Sequence, residues 1–392
     1  MTASITPIDA VEKTYEWYLD DVLVSTTNEL FLGNMNSDSF INTPAGPNSI
    51  RLKVSAESLV YNDSYDLTTS SVGLIGANKL LADDRATEDW FGCSVAIDGK
   101  TAIVGTHEYE DTGCAYIFTK VEDKWTQTSI LFANDAAAND NFGWSVAIDD
   151  NIAIIGALGD SDNGSYTGSA YIFTKDGENW IQTRKLVADD AATGDNLGWS
   201  VSIDGDSAIV GAFGNDDKGS SSGSAYIFTK SEDTWSQTQK LIANDGAAGD
   251  LFGRSVSIDG ALAIVGAYGN GDSDNGTESG SAYIFTKGED TWSQTIKLIA
   301  DDAAANDRFG WSVSIDGASA IVGAFGDGSY SGSAYAFSKV EGNWIQTRKL
   351  VADDADENDR FGWSVAIDEN IAIIGAYGND THTGSAYLYR IQ

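Results

Sequence analysis

Six residues in this chain hold equivalent places, each directly after a Phe-Gly or Leu-Gly step: Cys93, Trp144, Trp199, Arg254, Trp311 and Trp363. If these places converge, four indoles offer π-faces to a Lys or Arg side chain, each contact worth roughly 0.5–2 kcal/mol when desolvated. The same faces could stack on sugar rings, or could plug a channel and pack between neighbouring elements. Arg254 departs from the pattern. A guanidinium in such a ring repels a cationic guest, and it could stack on a neighbouring Trp and fill the cup itself.

A second set of residues has the alternation a Ca²⁺ loop uses to deliver several oxygens at about 2.4 Å. It comprises Asp160-x-Asp162-x-Gly164 and Asp272-x-Asp274-x-Gly276-x-Glu278. Neither loop holds a full ligand set, and a polar turn is the plainer account of both. A third pattern, [DN]-D-x-x-x-x-D before the Phe-Gly step, includes Asp189–Asp190 with Asp195 and Asp301–Asp302 with Asp307. Its recurrence suits carboxylates that accept backbone N–H bonds and fix a loop.

Catalytic chemistry finds little footing, and no enzyme is expected. His107 and His382 lie in separate loops, and two imidazoles alone make neither a zinc site nor a base. Gly219–Gly223 reads G-x-S-x-G, yet no helix follows to form the strained turn that activates such a Ser. Arg184 and Arg348 belong to an outer strand, so Arg254 has no companion for a multi-arginine centre.

The elements that must position these residues repeat six times. Each repeat reads [FL]-G-x-S-V-[AS]-I-D, A-I-[VI]-G-[AT], [GSC]-A-Y-x-[FY] and W-x-Q-T-x-K-L, and successive Phe-Gly glycines are about 51 to 57 residues apart. That period fits propeller blades. The runs are short, rich in Val, Ile, Tyr and Phe, and bounded by Gly, Asn and Asp, which marks strands. In the third repeat they fall at Leu197–Asp204, Ser207–Phe213, Ser224–Lys230 and Trp235–Ala243. Four antiparallel strands make one blade, with the Phe-Gly strand A innermost, so the six singled-out residues ring one mouth of a central channel. Lys79–Asp84 reads as the end of a strand D without its own blade, and the last repeat stops after strand C. An N-terminal strand is therefore expected to complete the sixth blade and close the ring.

Residues 1–70 hold all three Pro and read as short strands without the repeat. They resemble an Ig-like or PKD-like β-sandwich, followed by a linker at 71–77 and the propeller at 78–392. The fold class expected is all-β: a six-bladed propeller preceded by a small sandwich.

A formal charge of −36, with 59 acidic against 23 basic residues, excludes a nucleic-acid partner. No stretch is long and apolar enough to span a membrane, and the first residues lack the regions of a signal peptide. Cys93 and Cys114 would sit on strands A and C with B between, almost 10 Å apart and beyond disulfide reach unless the strand ends splay.

Phe-Gly followed by Val-Gly-Ala at this spacing resembles the FG-GAP repeat of the integrin α-subunit head and its microbial relatives, over about four-fifths of the chain. In integrin heads the positions matching the six ring residues form a mostly aromatic cup that grips a basic side chain of the β-subunit. Two departures stand out. Integrin heads carry seven repeats, and they place a calcium loop between strands A and B. Here that connection is a bare hairpin, as at Ile148–Asn151 and Ile258–Ala261, so those calcium sites do not carry over. The resemblance implies an extracellular or cell-surface adhesion module, monomeric, binding a protein partner through one mouth. A carbohydrate-binding propeller and a purely structural spacer of a larger surface protein are the alternatives.

Overall fold

The computed structural model describes residues 79–84, 89–122, 124–271, 275–289, 291–378 and 384–391, together with the backbone of six short strands before residue 70. The chain divides into two compact units, Met1–Lys79 and Leu80–Gln392. In the first, Lys13–Leu19 lies between Val22–Ser25 and Ile50–Ala56, Ser64–Thr68 pairs with the far side of Ile50–Ala56, and Thr2–Ser4 pairs with Glu29–Phe31. The linker expected at 71–77 lies outside the described residues.

The second unit is a six-bladed β-propeller of antiparallel sheets. Each blade is a meander, as in the second: Phe142–Asp149, Ile152–Ala157, Ser169–Asp176 and Asn179–Leu186. The third follows the expected pattern to within three residues at each end, with strands at Ser200–Asp204, Ser207–Ala212, Ser224–Ser231 and Thr234–Leu241. Strands B and C are buried on both faces because blades pack on both sides, which is why they read as continuous apolar runs.

The repeated residues are couplers between blades. The Phe of each Phe-Gly packs edge-on against two aromatic rings of its own strand C, as Phe252 does on Tyr283 and Phe285 with ring centroids 5.5 and 5.9 Å apart. Full burial of such a ring contributes about 1.5–3 kcal/mol. The Ser of strand A donates to the Phe-Gly carbonyl of the next blade, as Ser200 Oγ does to Gly253 at 2.9 Å. The Gln of strand D accepts the N–H of the linker leaving the preceding blade, as Gln237 does from Asp189 at 3.0 Å. The following Thr sits at a bulge and donates to strand C, as Thr183 Oγ1 does to Ile172.

Five junctions are built on this plan, with the serine bond at four of them and the Cys93 thiol on the Gly143 carbonyl at the first. The sixth, from the last blade back to the first, is not closed among the described residues. The last sheet has three strands, Phe361–Asp368, Ile371–Ala376 and Ser385–Arg390. Val95 and Ile97 of the first blade are 66% and 65% exposed, where Val146 and Ile148 of the second are 6% and 8% exposed. Ile373 and Leu388 of the last blade are likewise exposed. The slot that elsewhere takes a Phe-Gly step stands open there as a cleft of about 500 Å³ bordered by Ser364, Gly375 and Tyr377. The Lys79–Asp84 segment docks on the first blade as the strand D-to-A linkers do on later ones, with Asp83 N–H on Gln127 at 3.0 Å and Tyr116 Oη on Asp84 at 2.9 Å. The strand expected to close the ring falls just before it, outside the described residues.

This difference between junctions is measurable. A Cβ added at Gly266 would overlap the Gly310 carbonyl of the next blade, whereas at Gly375 its nearest neighbour is the Ser364 hydroxyl of the same sheet. Gly266→Ala should destabilise by about 3 kcal/mol, and Gly375→Ala by much less. Thermal denaturation of both variants is the check; equal losses would mean that the sixth junction closes in solution.

Candidate functional site

Strand A begins immediately after a sharp turn in each repeat. The residue before Phe-Gly or Leu-Gly adopts a left-handed backbone in all six, including Asn141, Leu251, Arg308 and Arg360 at φ 57°, 59°, 58° and 60°. The next residue but two then enters the ring. All six expected residues, Cys93, Trp144, Trp199, Arg254, Trp311 and Trp363, line one central cavity of about 400 Å³.

A second tier, absent from the sequence reading, interleaves with the first. It comes from the residue after strand B's Gly-Ala or Gly-Thr: His107, Leu158, Phe213, Tyr268, Phe325 and Tyr377. Trp199 packs on Phe213 at 4.5 Å, Trp311 on Tyr268 and Phe325 at 4.8 and 4.6 Å, and Trp363 on Phe325 and Tyr377 at 5.0 and 4.6 Å. Within the first tier, Trp144 meets Trp199 at 4.8 Å and Trp311 meets Trp363 at 4.7 Å. Near-perpendicular and tilted packings of this kind match the positive ring edge to the negative face. The signal for the second tier was present in the aligned repeats, where five of the six positions are aromatic or imidazole.

Arg254 joins the two halves of this lattice. Its guanidinium lies over Trp199 at 4.5 Å and over Trp311 at 4.1 Å. Burial lowers it to about 10, still protonated at neutral pH. Across the cavity on the first blade, His107 packs edge-on to Trp144 at 4.9 Å. Burial lowers its imidazole below the usual range, with Glu108 opposing, so the ring is neutral at pH 7. Cys93 and Cys114 are free thiols.

The candidate calcium loops have a different occupant at the second blade. Asp160 and Asp162 converge with Asp135, and Lys185 Nζ sits at their focus, 2.6 Å from Asp160 and 2.7 Å from each of the others. The same lysine of strand D recurs. Lys240 binds Asp190 and Asp217, Lys297 binds Asp245, and Lys349 binds Asp302 and Asp327. Each ammonium also lies 5.3 to 5.8 Å from the ring of a buried Tyr. Glu278 pairs instead with Arg308 at 3.0 Å. Asp272, Asp274 and His382 lie outside the described residues. In the Gly219–Gly223 loop, Ser221 N–H bonds Asp216 and a strand follows, so no activated Ser arises.

The linker carboxylates do fix their loops. Asp140, Asp195, Asp250, Asp307 and Asp359 each accept a backbone N–H from three residues earlier, at 2.7 to 2.9 Å. Burial raises the first four, Asp307 to about 6. In Asp135, Asp190, Asp245 and Asp302 burial also pushes upward, but the lysine outweighs it and holds them below the usual range.

A family model described as FG-GAP repeat matches six segments, residues 76–118, 125–173, 180–228, 235–285, 292–337 and 344–389. Five of them open on the Trp of strand D, at 125, 180, 235, 292 and 344. No curated protein matches the chain.

Two outcomes follow from the charges. Lys185→Met leaves three carboxylates facing one another and should cost on the order of 3 kcal/mol. CaCl₂ should raise the melting temperature of that variant, whereas EDTA should leave the unsubstituted protein unchanged; a drop with EDTA would place a metal among these acids. The pH profile has a defined sign. Carboxyls raised by folding stabilise at low pH and lose that contribution as pH rises through their folded values, about 6 for Asp307; those lowered by lysine stabilise above the ordinary carboxyl range and lose it on further acidification. The melting temperature should therefore climb from pH 8 to ~5 and fall again on acidification below the ordinary carboxyl range. Asp307→Asn should raise it at pH 8 and change little at pH 5.

Proposed function

The chain belongs to the FG-GAP repeat family, and on that premise we propose that it is a non-enzymatic recognition module binding a protein partner through the aromatic mouth of its propeller. FG-GAP propellers are generally non-enzymatic, and among the described residues no helix is long and apolar enough to cross a membrane. The observation that carries the reading is the two-tier lattice of aromatic side chains around one central cavity. Such a rigid surface loses little entropy on binding, and Trp, Tyr and Arg are the side chains that anchor protein interfaces.

The indoles are packed on by their neighbours: Trp199 meets three rings or cations and Trp311 four. Their faces are thus largely taken, which favours a protein partner reached through ring edges and Arg over sugar stacking. The fitting setting is the cell exterior, with the propeller at 78–392 acting as a monomer. An Ig-like or PKD-like module at 1–70 would precede it, the chain ahead of Lys79 completing the last blade.

Beads coated with the full chain should adhere to cell surfaces. Trp311→Ala should cut adhesion at least tenfold and Ile181→Ala, on an exposed outer strand, should leave it unchanged. Equal loss in both would remove the mouth from the reading. Saturable binding on a glycan array, lost with Trp199→Ala, would replace the protein partner with a sugar.

A further inference from the structure

We propose that the mouth of the propeller is an acceptor for a carboxylate, gripped by the N–H edge of Arg254 in the central cavity, rather than a cup for a cation. The inference rests on the reading of the mouth as the recognition surface and names the chemistry of its guest. The Arg254 guanidinium carbon lies 4.5 Å from the ring centroid of Trp199 and 4.1 Å from that of Trp311, the indoles of the two neighbouring blades. A cation–π site between two indoles is therefore already filled from within, and a second cation would meet a fixed positive charge.

The edge of the guanidinium is a different matter. Among the described residues its side chain makes no hydrogen bond and no ion pair. That is unusual in a chain with 59 acidic residues. Lys185, Lys240, Lys297, Lys349 and Arg308 are by contrast paired with carboxylates, and Arg360 with the Tyr377 hydroxyl. A half-buried cation whose donors lack partners is costly unless a ligand supplies them. The planar fork suits a carboxylate, which takes two parallel N–H bonds.

A second unpartnered group lines the same cavity. His107 Nδ1 is buried and has no hydrogen-bond partner. It comes from the first blade and Arg254 from the fourth, so the two groups approach the cavity from different sides of the ring. The strongly negative charge of the chain is partly offset within the fold, because Asp135, Asp160, Asp190, Asp245, Asp302 and Asp327 are tied to lysines.

Saturation-transfer NMR with the full chain tests this at constant ionic strength, using acetate and tetramethylammonium as probes. Acetate should bind the unsubstituted protein, at least tenfold more weakly in Arg254→Met and measurably in Arg254→Lys. Tetramethylammonium should bind only when the inner cation is removed, in Arg254→Ala, with melting curves confirming that each variant folds. Equal acetate binding in the unsubstituted protein and Arg254→Met would overturn the proposal. Tetramethylammonium binding to the unsubstituted protein would overturn it too, while leaving the mouth as a recognition surface; loss of bead adhesion in Trp311→Ala reports on that reading separately. Two further probes, N-acetylglutamate amide and glucuronate, distinguish an acidic side chain from an acidic sugar as the source of the carboxylate.

Discussion

Everything in the propeller depends on how closely one backbone can approach another across a blade junction. The glycine of strand B lies so near the Phe-Gly carbonyl of the next blade that any side chain would overlap it, at Gly105, Gly156, Gly211, Gly266 and Gly323 alike. The Phe-Gly glycine meets the mirror requirement, since Gly143, Gly198, Gly253, Gly310 and Gly362 have φ between 87° and 91°. That conformation belongs to a residue without Cβ. Once the two glycines fix the step, the hydroxyls and amides around them fall into register. Ser145 then reaches Gly198, and Asn134 N–H reaches Gln182. The rigidity that holds the central ring comes from this repeated contact more than from any residue in the ring.

The acidic chain meets its own charge by placing cations inside the fold. At the outer loops, a lysine from strand D enters a nest of carboxylates and lies near a buried tyrosine. At the centre, an arginine enters a nest of indoles. The first arrangement neutralises acids that would otherwise repel one another across neighbouring blades, and its geometry is that of a small metal site with an ammonium at the focus. The second neutralises nothing, because indoles carry no net charge. It leaves a positive charge facing a cavity.

Much of this was legible in the sequence. A repeat of four short apolar runs fixes the meander, and the offset of Phe-Gly within it places Cys93, Trp144, Trp199, Arg254, Trp311 and Trp363 together. What escaped was convergence between different strands. Lys185 is on strand D, Asp160 and Asp162 are in the loop after strand B, and Asp135 is in the linker from the preceding blade. Only the crossing of three separate segments brings them within hydrogen-bond distance, so spacing along any one of them read as a candidate calcium loop. The tier of Phe213, Tyr268, Phe325 and Tyr377 was hidden differently, since an apolar residue at a strand end reads as core. Closure of the sixth junction is read from the strand-D end at Lys79–Asp84 and from a last repeat that stops after strand C, and the strand that would complete it lies outside the described residues.

The ring owes its chemistry to unequal repetition. Were Trp present in all six places, the lattice seen between Trp144 and Trp199, and again between Trp311 and Trp363, would continue around the channel and close it. Two substitutions within the pattern prevent that. Cys93 is far smaller than an indole, and its thiol bonds the Gly143 carbonyl at 3.4 Å instead of extending the aromatic surface. Arg254 keeps the stacking but adds a charge and directed N–H donors. One change makes room and the other makes the room polar, and they sit three blades apart. A uniform ring would be a plug. The departures at Cys93 and Arg254 turn the same scaffold into a cavity with a defined electrostatic sense, which is what a recognition site requires and what packing alone does not.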